Sequence, residues 1–115
     1  MEIFNFTPTS EPKVTEGYRV VTSEFEGGKK SRYYKGRRGK KYSLTFQVNY
    51  ERAKELVQFW RDRKGPFEAF LYQDPHTGDL VKVHFADETL DLETQWNEAH
   101  VFRVGLIQVV LEELL

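Results

Sequence analysis

Nine residues in the middle of the chain, 42–50, alternate strictly between apolar and polar side chains. The apolar positions are Tyr42, Leu44, Phe46, Val48 and Tyr50, and the polar positions between them are Ser43, Thr45, Gln47 and Asn49. A period of two is typical of a β-strand that buries one face of a sheet, and it does not suit a helix. The chain is therefore expected to build its core on a sheet that contains this strand.

A helix is predicted directly after this strand, over about residues 50–63. Its apolar residues recur at the i, i+3, i+4 and i+7 spacing of one helix face, at Ala53, Leu56, Val57 and Trp60. Asn49 is placed to cap the N-terminus, and Gly65 followed by Pro66 is a typical helix stop. We expect Leu56 and Trp60 to be buried against the sheet.

Four further segments favour strands: residues 18–25, 67–72, 80–85 and 100–111. Residues 80–85 are expected to pair with residues 67–72 as a hairpin. One helix among several strands predicts a mainly β, α+β fold: an antiparallel β-barrel or sandwich with a single packed α-helix. The length of 115 residues fits a single domain over residues 1–115.

The sequence argues against several kinds of functional site. Cysteine is absent, which removes disulfides, thiolate metal ligands and thiol nucleophiles. We find no phosphate-binding glycine loop, no serine-nucleophile motif and no metal-ligand spacing among the histidines. His76, between Asp74 and Asp79, fits a polar turn better than a cation site. We therefore expect no enzyme activity, no cofactor and no metal.

The sequence also lacks the features of a membrane or secreted protein. The first residues have neither a basic region nor an apolar stretch of the kind that forms a secretory signal. The apolar runs are far shorter than the roughly 18–20 residues that a membrane span needs. We expect no membrane partner.

A run of eight basic residues without an acid occupies residues 29–41. Its members are Lys29, Lys30, Arg32, Lys35, Arg37, Arg38, Lys40 and Lys41. Glycines flank and interrupt this run, which predicts a flexible basic loop over about residues 27–41, or a long mobile hairpin. A polar segment, residues 87–98, carries five acids and no base, among them Asp87, Glu88, Asp91 and Glu93.

Two interpretations of the basic run stay open. Its cations, with Tyr33 and Tyr34 among them, have the character of a single-stranded nucleic-acid contact, as in a small β-barrel nucleic-acid-binding module. The cations can instead meet an acidic surface, on the next copy of the chain through residues 87–98 or on another protein. A formal net charge of −1 favours the protein interface.

Residues 65–72 read Gly-Pro-Phe-Glu-Ala-Phe-Leu-Tyr, and Asp74 and Pro75 follow shortly after. This segment resembles the glycine–aromatic–x–x–Phe–x–aromatic segment of the minor tail proteins of lambda-type long-tailed phages. The likeness continues in the strand residues 42–46, in Val-Lys-Val at 81–83 and in Phe-Arg-Val at 102–104. With Phe-Glu-Gly-Gly at 25–28, which is similar to a turn of that family, it spans about residues 14–110.

The resemblance implies a structural, non-catalytic component of a phage or prophage tail tip. It implies a tail-tube-like β-barrel-plus-helix module that forms a ring, by family likeness a hexamer, at the end of the tail tube. The implied partners are further copies of the chain and adjacent tail proteins, with no specific nucleic acid. The implied location is the virion tail, after assembly in the cytoplasm of a bacterial host. The structural positions that it transfers are Gly65 as the helix stop and Phe67, Phe70 and Tyr72 as strand aromatics.

Overall fold

The computed structural model describes residues 1–24, 30–96 and 103–115. Within these ranges, six strands form one antiparallel sheet, and a single helix packs on one of its faces. The elements are β1 (Lys13–Glu24), β2 (Lys30–Asn49), α1 (Tyr50–Asp62), β3 (Phe70–Gln73), β4 (Leu80–Phe85), β5 (Leu92–Trp96) and β6 (Arg103–Glu113). The mainly β fold with one packed helix, predicted from the sequence, is confirmed.

The sheet runs in the order β1-β2-β6-β4-β3, and β6 lies at its centre. One edge of β6 pairs with β2, and its other edge pairs with β4 near the C-terminal end and with β5 near the N-terminal end. In the described part of the chain β1 and β3, the strands at the two ends, do not pair with each other, so the sheet stays open. The barrel alternative is therefore wrong, and the layering is sandwich-like.

The core lies on the face of the sheet that the alternating segment predicts. Tyr42, Leu44 and Phe46 of β2 are buried, and they lie opposite buried Leu111, Val109 and Ile107 of β6. Helix α1 covers this face with buried Ala53 and Leu56. Gly105 of β6 allows this close packing, because a Cβ atom there would overlap the Cβ of Ala53. The opposite face of β2 carries Thr45 and Gln47, which are exposed.

The ends of α1 match the sequence signals. The side chain of Asn49 accepts a hydrogen bond from the backbone N–H of Arg52 at 2.8 Å, as an N-cap does. Gly65 follows the helix with a φ of 63°, the left-handed conformation that glycine adopts without strain. Leu56 is buried as expected, and Trp60 is partly buried and packs against the core, with its ring over Gly65.

Phe67 is not a strand residue, contrary to the expectation that the resemblance raised. Strand β3 begins at Phe70, and Phe67 lies in the turn after α1 with 78% of its surface exposed. The reason lies in two backbone hydrogen bonds, from Phe67 N–H to Lys64 and from Glu68 N–H to Arg63, which hold this turn against the helix end. Phe70 and Tyr72, the other two aromatics, are strand residues and are buried.

The basic run does not form a loop where the structure describes it. Residues 30–41 belong to β2 and pair with β1 from Lys30↔Glu24 to Lys41↔Thr15. Pairing gives the backbone groups of this segment partners, and the two register shifts lie at Gly39 and next to Gly36. In the described residues this segment is therefore a paired strand and not a loop.

Several expectations fall outside the described residues. They concern Lys29, the segment 25–28 and the first part of the closing strand, which the sequence placed at residues 100–102 and which the structure describes from Arg103 onward. Helix α1, the single helix in the described ranges, is not long and apolar enough to cross a membrane.

Candidate functional site

The basic run forms one strand of a two-stranded arm. We use "arm" for residues 17–24 of β1 and 30–40 of β2, which pair with each other, whereas β2 pairs with β6 only from Lys41 onward. The molecule measures 69 × 32 × 26 Å, which is long for its 115 residues. An isolated two-stranded ribbon is marginally stable in water, so an arm of this kind gains from further contacts.

The root of the arm is held against the end of β6. Arg37 donates a hydrogen bond to the carboxylate of Glu113 at 2.8 Å, and the backbone N–H of Lys40 points to the same oxygen at 3.4 Å. Gly39 packs so closely on the carbonyl of Glu113 that a Cβ atom would overlap it. The arm therefore leaves the sheet in a direction that the contacts to Glu113 define.

A second group of contacts joins the arm root to the turn between β3 and β4. Asp74 of that turn is only 2% exposed, and its carboxylate accepts the hydroxyl of Tyr42 at 2.7 Å. It also accepts the backbone N–H groups of His76 and Thr77, at 2.8 and 3.1 Å. The ammonium of Lys40 lies 3.7 Å from the Asp74 carboxylate. A buried carboxylate with this many donors is a fixed part of the structure.

Asp74 and Tyr42 shift each other's titration. Burial by itself would raise the pKa of Asp74, but the hydrogen bonds from Tyr42, His76 and Thr77, together with the charge of Lys40, hold that pKa below its ordinary value. Burial and the hydrogen bond to Asp74 raise the pKa of Tyr42. Near neutral pH the carboxylate is therefore charged and the phenol is protonated, as their hydrogen bond requires.

Those of the predicted basic residues whose side chains are described divide into residues with an ion pair and residues without one. Arg37 pairs with Glu113, while Lys40 lies 3.4 Å from Glu16 besides its contact with Asp74. Arg32, Arg38 and Lys41 are exposed, and none of the ion pairs found in the described ranges involves them. Lys30 and Lys35 are further β2 residues, and Lys29 lies outside the described residues.

One face of the arm carries aromatic and apolar side chains. Tyr18, Val20 and Tyr34 are exposed, and cross-strand pairing of Val20 with Tyr34 places them on one face. The rings of the two tyrosines are 6.0 Å apart. The contacts of Arg37 show on which side of the sheet this face lies. Arg37 lies across from Tyr18 and contacts Glu113, and Glu113 lies opposite Val83, which is buried on the helix-covered side. We call this face the tyrosine face; it continues the helix-covered side of the sheet.

The predicted acidic residues lie around a groove on the other side of the sheet. The groove has a volume of about 410 Å³ and is lined by Thr45, Phe46, Gln47, Asp87, Thr89, Asp91, Glu93, Leu106, Ile107 and Gln108. Three of the four predicted acids therefore line it, and exposed Glu88 does not. No Lys or Arg from the described ranges is among the lining residues. We call this feature the acidic groove.

The structure does not bring the two charged groups together within one chain. None of the ion pairs between described side chains joins Arg32, Arg37, Arg38 or Lys40 to the predicted acids, which are Asp87, Glu88, Asp91 and Glu93. The tyrosine face continues the helix-covered side of the sheet, whereas Thr45 and Gln47 in the acidic groove point to the opposite side. A contact between them therefore has to form between molecules.

Sequence reasoning missed the residues that hold the arm in place. Glu113 and Glu16 carry no local signal, since they meet Arg37 and Lys40 only through strand register. The local pattern of Asp74 is that of an ordinary turn residue, although Tyr42 in the alternating strand is a buried phenol that needs a polar partner. That requirement is the only signal in the sequence that points to the buried pair.

The described residues contain no group of three or more His, Cys, Asp or Glu side chains arranged to hold a metal ion. His76 contributes its backbone N–H to the Asp74 turn.

Comparisons with known proteins bear on the fold. No protein-family model matches the chain, and no curated protein matches it. Among solved structures, one similar chain belongs to a structure described as "Virion of native gene transfer agent (GTA) particle". The TM-score is 0.75 at 15% sequence identity, and the match covers 100% of this chain and 98% of that chain. At this identity the likeness establishes a shared fold over nearly the full length of both chains.

Proposed function

We propose that this protein is a structural component of a phage or phage-like tail, at the tail tip or distal tail, where copies of it assemble into a ring at the end of the tail tube. The observation that carries the proposal is the fold likeness to a chain of a gene transfer agent virion, which spans the whole of this chain. The resemblance of residues 65–72 to phage minor tail proteins points to the same class of particle. The ring is a hexamer by that resemblance, and its further partners are adjacent tail proteins.

The arm supports a role in assembly. On the arm, Arg32 and Arg38 are exposed, and no described side chain forms an ion pair with them. Tyr18 and Tyr34 are exposed there as well. Side chains of these types are enriched where proteins bind proteins. A tail location follows from the same proposal: the chain becomes part of the virion tail after it assembles in the cytoplasm of the host.

Nucleic-acid binding through the arm is the competing function. Its electrostatic requirement is a row of cations free to meet phosphates. Arg37 and Lys40 instead contact Glu113, Glu16 and Asp74, which reduces the positive charge that the arm offers. The two functions separate in solution, because a ring appears as multiples of 13.6 kDa without any nucleic acid.

Reversing the exposed arm cations is expected to slow self-association. In the variant that combines Arg32→Glu and Arg38→Glu, the steering charge is lost, while Arg37 stays with Glu113. Exposed charge pairs contribute only about 0–1 kcal/mol each, so the loss should appear mainly in the association rate and its salt dependence. Static light scattering after dilution into low salt measures the rate. A variant with Arg61→Glu and Lys82→Glu, two exposed cations away from the arm, is the matched control.

Reversing the acids in the same chain identifies the partner surface. Asp91→Lys and Glu93→Lys, added to the arm variant, should restore part of the association if the partner is another copy. Association of the arm variant at the parental rate in low salt would contradict electrostatic docking through the arm. A parent that stays monomeric by native mass spectrometry and binds a single-stranded oligonucleotide with a steep salt dependence would favour the nucleic-acid function.

A further inference from the structure

The tyrosine face of the arm is exposed apolar surface, whereas the same side of the rest of the sheet is covered by α1. Tyr34 is 70% exposed and Tyr18 is 59% exposed, although both continue the side of the sheet on which α1 packs. Helix α1 contacts β2, β5 and β6. In the described ranges the buried residues of β2 are Tyr42, Leu44 and Phe46, which lie beyond the arm. An aromatic face on a two-stranded ribbon is poorly stable by itself and is typical of a surface that a partner covers.

Charge decides what kind of partner fits this face. Arg32 lies across from Thr22 on the tyrosine face, and Arg37 lies across from Tyr18. Two arms packed face to face would bring these cations together, which disfavours pairing between arms. The partner surface should therefore combine carboxylates with some apolar area.

The acidic groove has these properties. Asp87, Asp91 and Glu93 line it with negative charge, and Leu106 contributes apolar surface. Its volume of about 410 Å³ is enough for aromatic side chains to enter. Gln47 and Gln108 in its lining offer hydrogen-bonding groups to a phenol hydroxyl.

We propose that the acidic groove of one copy of this chain receives the tyrosine face of the arm of another copy. The tyrosines enter the groove, and Arg32 on the same face of the arm meets its carboxylates. The arm cannot fill the groove of its own chain, because the tyrosine face and the groove lie on opposite sides of the sheet. The inference rests on the proposed self-assembly and names the surfaces that carry it.

The contact joins two different surfaces, which gives it a direction. A contact of this kind does not stop at a dimer: it continues from copy to copy until the chain of subunits closes into a ring or grows as a filament. Each subunit then uses its arm once and its groove once.

Removing the tyrosines tests which surface supplies the affinity. Tyr18→Ser and Tyr34→Ser are expected to lower the association constant by about tenfold or more each, because buried tyrosines are frequent hot spots of interfaces. Sedimentation velocity over a concentration series measures the constant for the full-length chain. Phe67→Ser, which removes an equally exposed aromatic outside both surfaces, should leave it unchanged. Unchanged association in both tyrosine variants would overturn the inference.

Crosslinking tests the docking geometry without depending on the tyrosines. The chain has no native cysteine, so a chain with Thr22→Cys and a second chain with Gln108→Cys each carry one thiol. A short bismaleimide should join the two chains when they are mixed, and a mixture of Phe67→Cys with Gln108→Cys should give no product. Thr22→Cys chains that crosslink only to each other would overturn the inference in favour of contact between arms.

The outcomes separate this inference from the proposed function. Parental assembly into rings without the crosslink between Thr22→Cys and Gln108→Cys overturns the inference and leaves the tail function standing. A parent that remains monomeric at every salt and protein concentration overturns the self-assembly itself.

Discussion

Replacing Phe70 with alanine should destabilise the protein by about 3–5 kcal/mol, the usual cost of removing a large aromatic from a core. Phe70 is fully buried, and its ring centroid lies 4.9 Å from that of Phe85, 5.2 Å from that of Phe59 and 5.8 Å from that of Phe4. These rings come from β4, α1 and the N-terminal segment, so the cavity would open where three parts of the chain meet. Urea unfolding followed by tryptophan fluorescence measures the loss.

Phe67→Ala is the matched control, because it makes the same chemical change three residues away. Phe67 is 78% exposed in the turn after α1, and the ammonium of Lys64 lies 5.7 Å from its ring centroid. A surface substitution of this kind should change stability by no more than about 0.5 kcal/mol. Equal losses in the two variants would mean that residues 67–70 are packed differently from the structure described above.

Asp74→Ala should cost about 3–5 kcal/mol, the usual loss when one partner of a buried polar network is removed. The variant leaves the buried hydroxyl of Tyr42 and the N–H groups of His76 and Thr77 without their acceptor. Asp79→Ala, an exposed acid in the same turn, is the control and should be nearly neutral. If the network carries the effect, adding Tyr42→Phe to Asp74→Ala should cost less than the sum of the single losses.

The same residue predicts a pH dependence. The pKa of Asp74 is held below its ordinary value in the folded chain, so the charged carboxylate stabilises the fold at pH values above about 3.9, where it is also charged in the unfolded chain. This stabilisation is lost as the pH falls from there through the lowered pKa. The stability difference between parent and Asp74→Ala should therefore shrink on acidification, and a difference that is constant down to pH 2 would contradict this account.

The secondary structure near the middle of the chain could be predicted because its signals are local. The alternation over residues 42–50, the cap at Asn49 and the stop at Gly65 each act within a few residues, and α1 and the buried face of β2 follow from them. The errors have a common origin. Phe67 has a local pattern that suits a strand and residues 30–41 have one that suits a loop, and packing or pairing with other segments decided otherwise.

The candidate surfaces divide in the same way. Which residues are charged, and that one segment is basic and another acidic, can be read directly from the chain. The chain does not show which of the cations are paired. Arg37 and Lys40 are held by Glu113, Glu16 and Asp74, which lie far from them in sequence. Arg32 and Arg38 stay exposed.

The sequence by itself determined a sheet with one buried face, a helix with defined ends and two segments of opposite charge, because hydrophobic periodicity, capping and charge are properties of neighbouring residues. The tertiary structure alone decided that β6 lies at the centre of an open sheet and that β1 and β2 run past it as an arm. It also decided that the tyrosine face and the acidic groove lie on opposite sides. The physical reason is strand register: a shift by one residue would turn every side chain of a strand to the other face, and register is set by pairing between distant segments.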